Sequence, residues 1–114
     1  MRRFWRIMGF LAAASVGSLT VAAQGPETGP TVTIRTFQFE PNQIEVRTGT
    51  GITWINQDDI RHTITSGTPE NRDDCFNAPL AGKGTKFSFT FMQPGTYSYF
   101  CDRHRHMRGE IRVK

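Results

Sequence analysis

The chain has 114 residues, of which 37% are hydrophobic and 21% are charged, and its formal net charge at pH 7 is +4. This length suffices for one small domain with one hydrophobic core and excludes two domains of ordinary size. Three of the fourteen basic residues lie among the first six, and the rest of the chain carries eleven basic against ten acidic residues, so charge gives no reason to predict nucleic-acid binding.

Residues 1–23 have the pattern of an export signal. Three arginines precede an apolar stretch from residue 7 to about residue 21, and the small residues Val21-Ala22-Ala23 favour cleavage after Ala23. An uncleaved anchor is the alternative, but the stretch is short for a bilayer span and contains several Gly, Ser and Thr residues. We therefore predict a periplasmic or cell-surface protein with no stable membrane insertion after cleavage.

The rest of the chain alternates short strand patterns with turn signals. Residues 24–30 are rich in Gly and Pro and should form a flexible lead-in. No window sustains a helical period, whereas apolar and polar residues alternate in many short segments. The predicted strands comprise residues 31–35 with a continuation at 37–39, then 44–46, 52–55, 62–65, 87–91, 97–100 and 110–113. This pattern favours an all-β antiparallel sandwich with little helix over residues 31–114.

Two further expectations depend on this strand assignment. The phenylalanines that alternate with polar residues should fill the core, because one face of such a strand is buried. They are Phe37, Phe39, Phe87, Phe89 and Phe91. Residues 66–84 are rich in Gly, Pro, Asn and Asp and should form a long polar connection.

Potential metal ligands lie close together near the C-terminal end. Cys101, His104 and Met107 follow the predicted strand 97–100 in one short loop, and His62 follows a polar turn upstream. A thiolate and two imidazoles with a weak axial thioether are the ligands of a mononuclear electron-transfer copper site. A tight loop on a rigid sandwich can hold them together, and the turn before His62 should place it at the same end.

Each of these residues also has a plainer explanation. His62 could be a surface histidine, and Met107 could fill a gap in the core. His106 could compete as a ligand, but its position beside Met107 in an extended loop should turn its side chain away from the metal. In an exported protein Cys75 and Cys101 could form a disulfide, which would give a binding module without metal. That alternative leaves the spacing of His104 and Met107 unexplained.

The motifs resemble those of a known family. Trp54-Ile55-Asn56, Arg61-His62-Thr63 and the run from Gly95 to Cys101, followed by His104, Met107, Arg108 and Gly109, resemble the cupredoxins of the plastocyanin and azurin group. The C-x-x-H-x-x-M spacing is that of amicyanin. The resemblance implies a Greek-key sandwich, a one-electron carrier and one type 1 copper ion. It implies that His62, Cys101 and His104 are equatorial ligands and that Met107 is axial.

The departures from this family bear on partners. Thr63 stands where many members have an Asn that ties the two ligand segments together. Arg105 and His106 stand where amicyanin has Pro and a large aromatic residue, which implies a partner other than methylamine dehydrogenase. His104 would be the electron port, and basic residues around it would favour redox partners with an acidic patch. Those basic residues are Arg61, Arg103, Arg105 and Arg108.

The filled coordination of such a site argues against catalysis, because no position is open to a substrate. An enzyme resembling copper nitrite reductase would need a further copper with additional histidines, and only His106 remains to serve it. Copper delivery or storage could use the same ligands. We predict a monomeric electron carrier that is not an enzyme.

Overall fold

The computed structural model describes residues 29–114, which form nine β-strands and no helix. The predicted export signal, 1–23, and most of the predicted lead-in lie outside the described residues. The strands are β1 (Thr31–Ile34), β2 (Phe39–Glu40), β3 (Gln43–Val46), β4 (Thr50–Asn56), β5 (His62–Thr68), β6 (Asn71–Leu80), β7 (Lys86–Phe91), β8 (Gly95–Phe100) and β9 (Arg108–Val113). Within this range, no helix is long and apolar enough to cross a membrane.

The strands form two sheets, with the orders β2-β1-β4-β7 and β3-β9-β8-β5-β6. The predicted β-sandwich with little helix is confirmed. Most pairs are antiparallel, but β1 pairs with β4 and β3 pairs with β9 in parallel. These parallel partners are distant in sequence, so no tight hairpin has to join them.

The core between the sheets is aromatic at its centre. Trp54 is fully buried, stacks on Phe87 at a centroid distance of 5.7 Å and meets Tyr99 edge-on at 5.3 Å. Complete burial of a large apolar side chain contributes about 1.5–3 kcal/mol. Four of the five phenylalanines expected in the core belong to it, either buried or packed against the buried cluster: Phe39, Phe87, Phe89 and Phe91.

Phe37 departs from this pattern, and the prediction that it is a core residue is wrong. Its side chain is 36% exposed, because the strand does not continue through it. Thr36 and Phe37 have φ angles of 53° and 59°, and Arg35 and Gln38 exchange backbone hydrogen bonds of 3.0 and 3.1 Å across them. This tight turn directs Phe37 towards the end of the sandwich instead of its interior.

The expected polar connection over residues 66–84 is also wrong for most of its length. β5 runs on to Thr68, and β6 spans Asn71–Leu80 as the edge strand of its sheet. Only Phe76 and Leu80 of β6 are buried. An edge strand needs main-chain pairing on one side only and can expose most side chains, which is why its composition is that of a loop.

Candidate metal centre

The four predicted ligands meet at one end of the sandwich. Cys101 directly follows β8, His104 and Met107 lie in the loop before β9, and His62 begins β5. β5 and β8 are paired neighbours, with Thr65 opposite Phe100. This pairing carries the start of one strand to the end of the other, as expected from the sequence.

The side-chain donors converge on the buried thiol. The Cys101 Sγ atom lies 3.7 Å from the Nδ1 atom of His62 and 3.7 Å from that of His104. The potential ligand atoms of these three residues all lie within 4.8 Å of one another. His62 and Cys101 are fully buried, Met107 is buried nearby, and His104 is partly exposed.

The loop is closed by its own backbone. The Cys101 N–H donates to the Met107 carbonyl at 3.1 Å, and the Met107 N–H donates to the His104 carbonyl at 2.9 Å. These hydrogen bonds bring the backbone of Met107 beside that of Cys101, and both side chains are buried at the same end of the core. The loop then enters β9 at Arg108.

Thr63 ties the two ligand segments together. Its N–H donates to the Cys101 sulfur at 3.4 Å, and its hydroxyl oxygen accepts the Asp102 N–H at 2.8 Å. The same hydroxyl lies 2.9 Å from that of Thr65, which donates to the Asn77 side chain at 3.0 Å. Thr63 thus connects the two segments that carry the candidate ligands.

Asp58 bonds the outer nitrogen of the His62 ring. Its Oδ2 atom lies 2.9 Å from His62 Nε2, and its backbone N–H donates to the Asn56 side chain at 2.9 Å. Burial raises the pKa of Asp58, but hydrogen bonds from the Phe37 N–H, the His62 ring and the Thr36 N–H outweigh it, and the pKa lies below its ordinary value. No role for Asp58 is predicted from the sequence above. A carboxylate four residues before a candidate histidine ligand, in a turn, was the available signal.

The turn residue Phe37 lies against both histidine ligands. Its ring is edge-on to both imidazoles, with centroid distances of 5.3 Å to His62 and 4.8 Å to His104. Burial lowers the pKa of His104, and the neighbouring His62 ring and the positive charge of Arg103 act in the same direction. A lowered pKa keeps the imidazole neutral, which is the form that binds metal.

The basic residues around the loop differ in their pairing. Arg105 lies 3.7 Å from Asp102, and Arg108 lies 3.6 Å from Glu70. Arg72, on β6, also pairs with Asp102, and this hydrogen bond lowers the pKa of the Asp102 carboxyl. Within residues 29–114, Arg61 and Arg103 form no ion pair. His106 is exposed, as expected of a residue whose side chain does not serve the site.

Both cysteines are free, with Cys75 exposed on β6 and Cys101 buried. The alternative of an intramolecular disulfide is therefore wrong for this structure, and the Cys101 sulfur remains available as a donor.

The donor set fits a copper ion. One sulfur and two imidazole nitrogens converge in a buried space, and a backbone N–H points at the sulfur. Soft thiolate and imidazole donors suit copper, and a hydrogen bond to the sulfur is one of the features that adjust its reduction potential. Zinc can use the same atoms, but a buried thioether beside them favours copper.

The fold and this donor set together define the cupredoxin class, and comparison with known proteins agrees. The family described as copper binding proteins, plastocyanin/azurin family, matches residues 27–114. Amicyanin-alpha of Methylorubrum extorquens is 25% identical over 103 residues, which are 90% of this chain and 87% of that protein. Plastocyanin of Scenedesmus fuscus is 32% identical over 88 residues, or 67% of this chain and 86% of that protein.

A similar solved structure is that of a novel purple cupredoxin from Nitrosopumilus maritimus. It has a TM-score of 0.68 and 27% identity, and the match covers 74% of this chain and 98% of that one. The chain therefore belongs to the plastocyanin/azurin family of copper-binding proteins, and the resemblance seen in its motifs is confirmed.

Proposed function

We propose that this protein is an exported one-electron carrier in which His62, Cys101 and His104 bind one copper ion and Met107 is the weaker axial ligand. The observation that carries the proposal is the approach of two imidazole Nδ1 atoms to one buried thiol, each at 3.7 Å. Amicyanin and plastocyanin, which are electron carriers, are among its relatives.

The protein's part in electron transfer is to hold the donors still. Copper bound here supplies a Cu(II)/Cu(I) couple. Asp58 fixes the His62 ring, and the Thr63 N–H fixes the Cys101 sulfur. Donors that are fixed in advance limit the structural change that accompanies a change of oxidation state. The partly exposed ring of His104 provides a short path from the site to a docked partner.

The test begins with metal-free, thiol-reduced protein. Adding Cu(II) should produce an intense visible band from thiolate-to-copper charge transfer. The variant Cys101→Ser should lack the band, whereas Cys75→Ser, which removes the exposed thiol, should retain it. A band that persists in Cys101→Ser, or its absence from the native protein under oxidising conditions, contradicts the proposal.

We also propose that the protein is not an enzyme, because four protein ligands leave no coordination position for a substrate. Copper delivery or storage remains the alternative, and it predicts readily exchangeable copper without the intense band. The same titration with Cu(II), followed by a copper chelator, separates the two functions.

We propose that this protein is a monomer and that its partners are redox proteins with an acidic surface patch. Arg61 and Arg103 support this idea, since neither has an ion-pair partner among the described residues and Arg103 lies within the ligand loop, between Cys101 and His104. Reduced protein should be oxidised by the anion ferricyanide at a rate that falls as ionic strength rises. Arg103→Ala should lower the rate at low salt. Arg112→Ala removes an equal charge from β9, outside the ligand loop, and should have less effect; equal effects would refute the proposed patch.

We propose a periplasmic or cell-surface location on the basis of the pattern in residues 1–23. Expression of the full chain with export should yield a mature protein that begins near Gln24. Mass spectrometry that finds the uncleaved N-terminus in the exported fraction would contradict this part of the proposal.

A further inference from the structure

One carboxylate, that of Asp58, receives three hydrogen bonds. The Thr36 N–H donates to Oδ1 at 2.8 Å, the Phe37 N–H donates to Oδ2 at 3.0 Å, and His62 Nε2 lies 2.9 Å from Oδ2. The side chain of His62 is 0% exposed and that of Asp58 is 13% exposed. This shielded carboxylate therefore joins a proposed copper ligand to a separate segment of the chain.

We propose that Asp58 is a positioning residue of the metal centre, an inference that rests on the proposed function. A carboxylate that receives two backbone N–H groups has only acceptor atoms to offer, so His62 Nε2 carries the ring proton. The Nδ1 atom then keeps its lone pair, and Nδ1 is the atom that faces the Cys101 sulfur. Asp58 thus selects the tautomer of His62 that presents a metal-binding nitrogen to the site.

The same carboxylate holds the turn that covers the histidines. Thr36 and Phe37 lie in the left-handed region of φ, which residues other than Gly rarely adopt. This conformation is least favourable for a β-branched residue such as Thr. The hydrogen bonds to Asp58 offset that cost. They keep the Phe37 ring edge-on to His62 and His104, so Asp58 positions both a ligand and the ring that packs against it.

The charge of Asp58 should also affect the redox equilibrium. A negative charge bonded to a ligand imidazole favours the more positive, oxidised state of the centre. Asp58→Asn keeps the shape of the side chain but removes this charge. We expect the variant to shift the equilibrium about tenfold towards the reduced form, which is a rise of about 59 mV in reduction potential.

Asp59 provides a matched control for this measurement. It is the next residue in the same turn and has the same charge, but it is exposed and makes no hydrogen bond to the site within residues 29–114. Water and salt screen an exposed charge, so Asp59→Asn should shift the equilibrium by less than about threefold. Equal shifts in the two variants would show a general effect of charge and would overturn the specific role of Asp58.

A second measurement needs no copper. Nitrogen-15 NMR of the metal-free protein should find the Nε2–H tautomer of His62 in the native chain and in Asp59→Asn, and a mixture of tautomers in Asp58→Ala. An Nδ1–H tautomer in the native chain would overturn the proposal even if the variants failed to fold. Because this readout does not depend on metal, failure to form the copper band would refute the proposed function separately.

Discussion

Thr63 is the residue on which the connection between the two ligand segments depends. Thr63→Val keeps the β-branched shape but removes the hydroxyl that accepts the Asp102 N–H and contacts Thr65. A shielded donor left without an acceptor costs about 1–3 kcal/mol, so we expect a loss of this order in the free energy of unfolding. Urea denaturation of the metal-free protein measures it. Thr63→Ser retains the hydroxyl and should lose less, and equal losses would mean that shape, and not the hydrogen bond, matters.

Gly109 is required by the packing of Tyr99. A Cβ atom at Gly109 would overlap the ring of Tyr99, which is buried and cannot move aside freely. The same burial raises the pKa of the Tyr99 hydroxyl to about 12. Because forced repacking of a core typically costs 1–3 kcal/mol, Gly109→Ala should reduce the free energy of unfolding by about that amount.

Gly82→Ala is the control for this prediction, because a Cβ atom at Gly82 meets nothing within 4 Å. Its effect should remain within about 0.5 kcal/mol. Thermal unfolding of the two variants, followed by circular dichroism, provides the comparison, and similar losses would show that the ring of Tyr99 is not the cause.

The hairpin of strands β5 and β6 contacts the ligand loop and helps to hold it in place. Arg72 on β6 pairs with Asp102, and its guanidinium lies 5.7 Å from the centre of the Phe100 ring. Both partners of the ion pair are more than a third exposed, so Arg72→Ala should lower the free energy of unfolding by no more than about 1 kcal/mol. Urea denaturation at low salt and at about 1 M salt should show that the effect shrinks with screening.

Arg35→Ala gives the comparison for Arg72. It breaks a pair with Glu40 that is 3.7 Å long and more exposed, at 59% and 48% for the two side chains. A smaller loss than for Arg72→Ala is expected. If the Arg72 loss persists at high salt, packing on Phe100 would account for it instead of charge.

The sandwich and the convergence of the four candidate ligands at one end of it could be predicted from the sequence, because they depend on alternation and on local spacing. β6 could not, because an edge strand shows no clear alternation when most of its side chains face water. Phe37 and Asp58 could not be placed either. The spacing of Asp58 and His62 is a local signal for a contact between those two residues. The contacts between the turn near residue 36 and the turn near residue 58 join distant segments, and no local pattern reports them.

For the molecule as a whole, the fold should persist without metal. The His62 ring is held by its hydrogen bond to Asp58 and the Cys101 sulfur by the hydrogen bond from the Thr63 N–H, and the aromatic core lies between the sheets and does not require copper. Copper at about 1,000 times its dissociation constant adds roughly 4 kcal/mol of stability, or roughly 15–30 °C in melting temperature for a domain of this size. Thermal unfolding with and without copper tests this, and an unfolded metal-free protein at 25 °C would contradict it.

The position of β9 has a consequence for how the protein must fold. β9 holds the last residues before Lys114, yet it lies between β3 and β8 inside its sheet. Until β9 docks, the sheet is incomplete, and the core in which the Cys101 side chain is buried has not formed. If the protein is exported as proposed above, its unfolded chain exposes two thiols that can join in an oxidising compartment, so folding and oxidation would compete. Cys101 would therefore keep a free thiol only if β9 docks before Cys75 can react with Cys101.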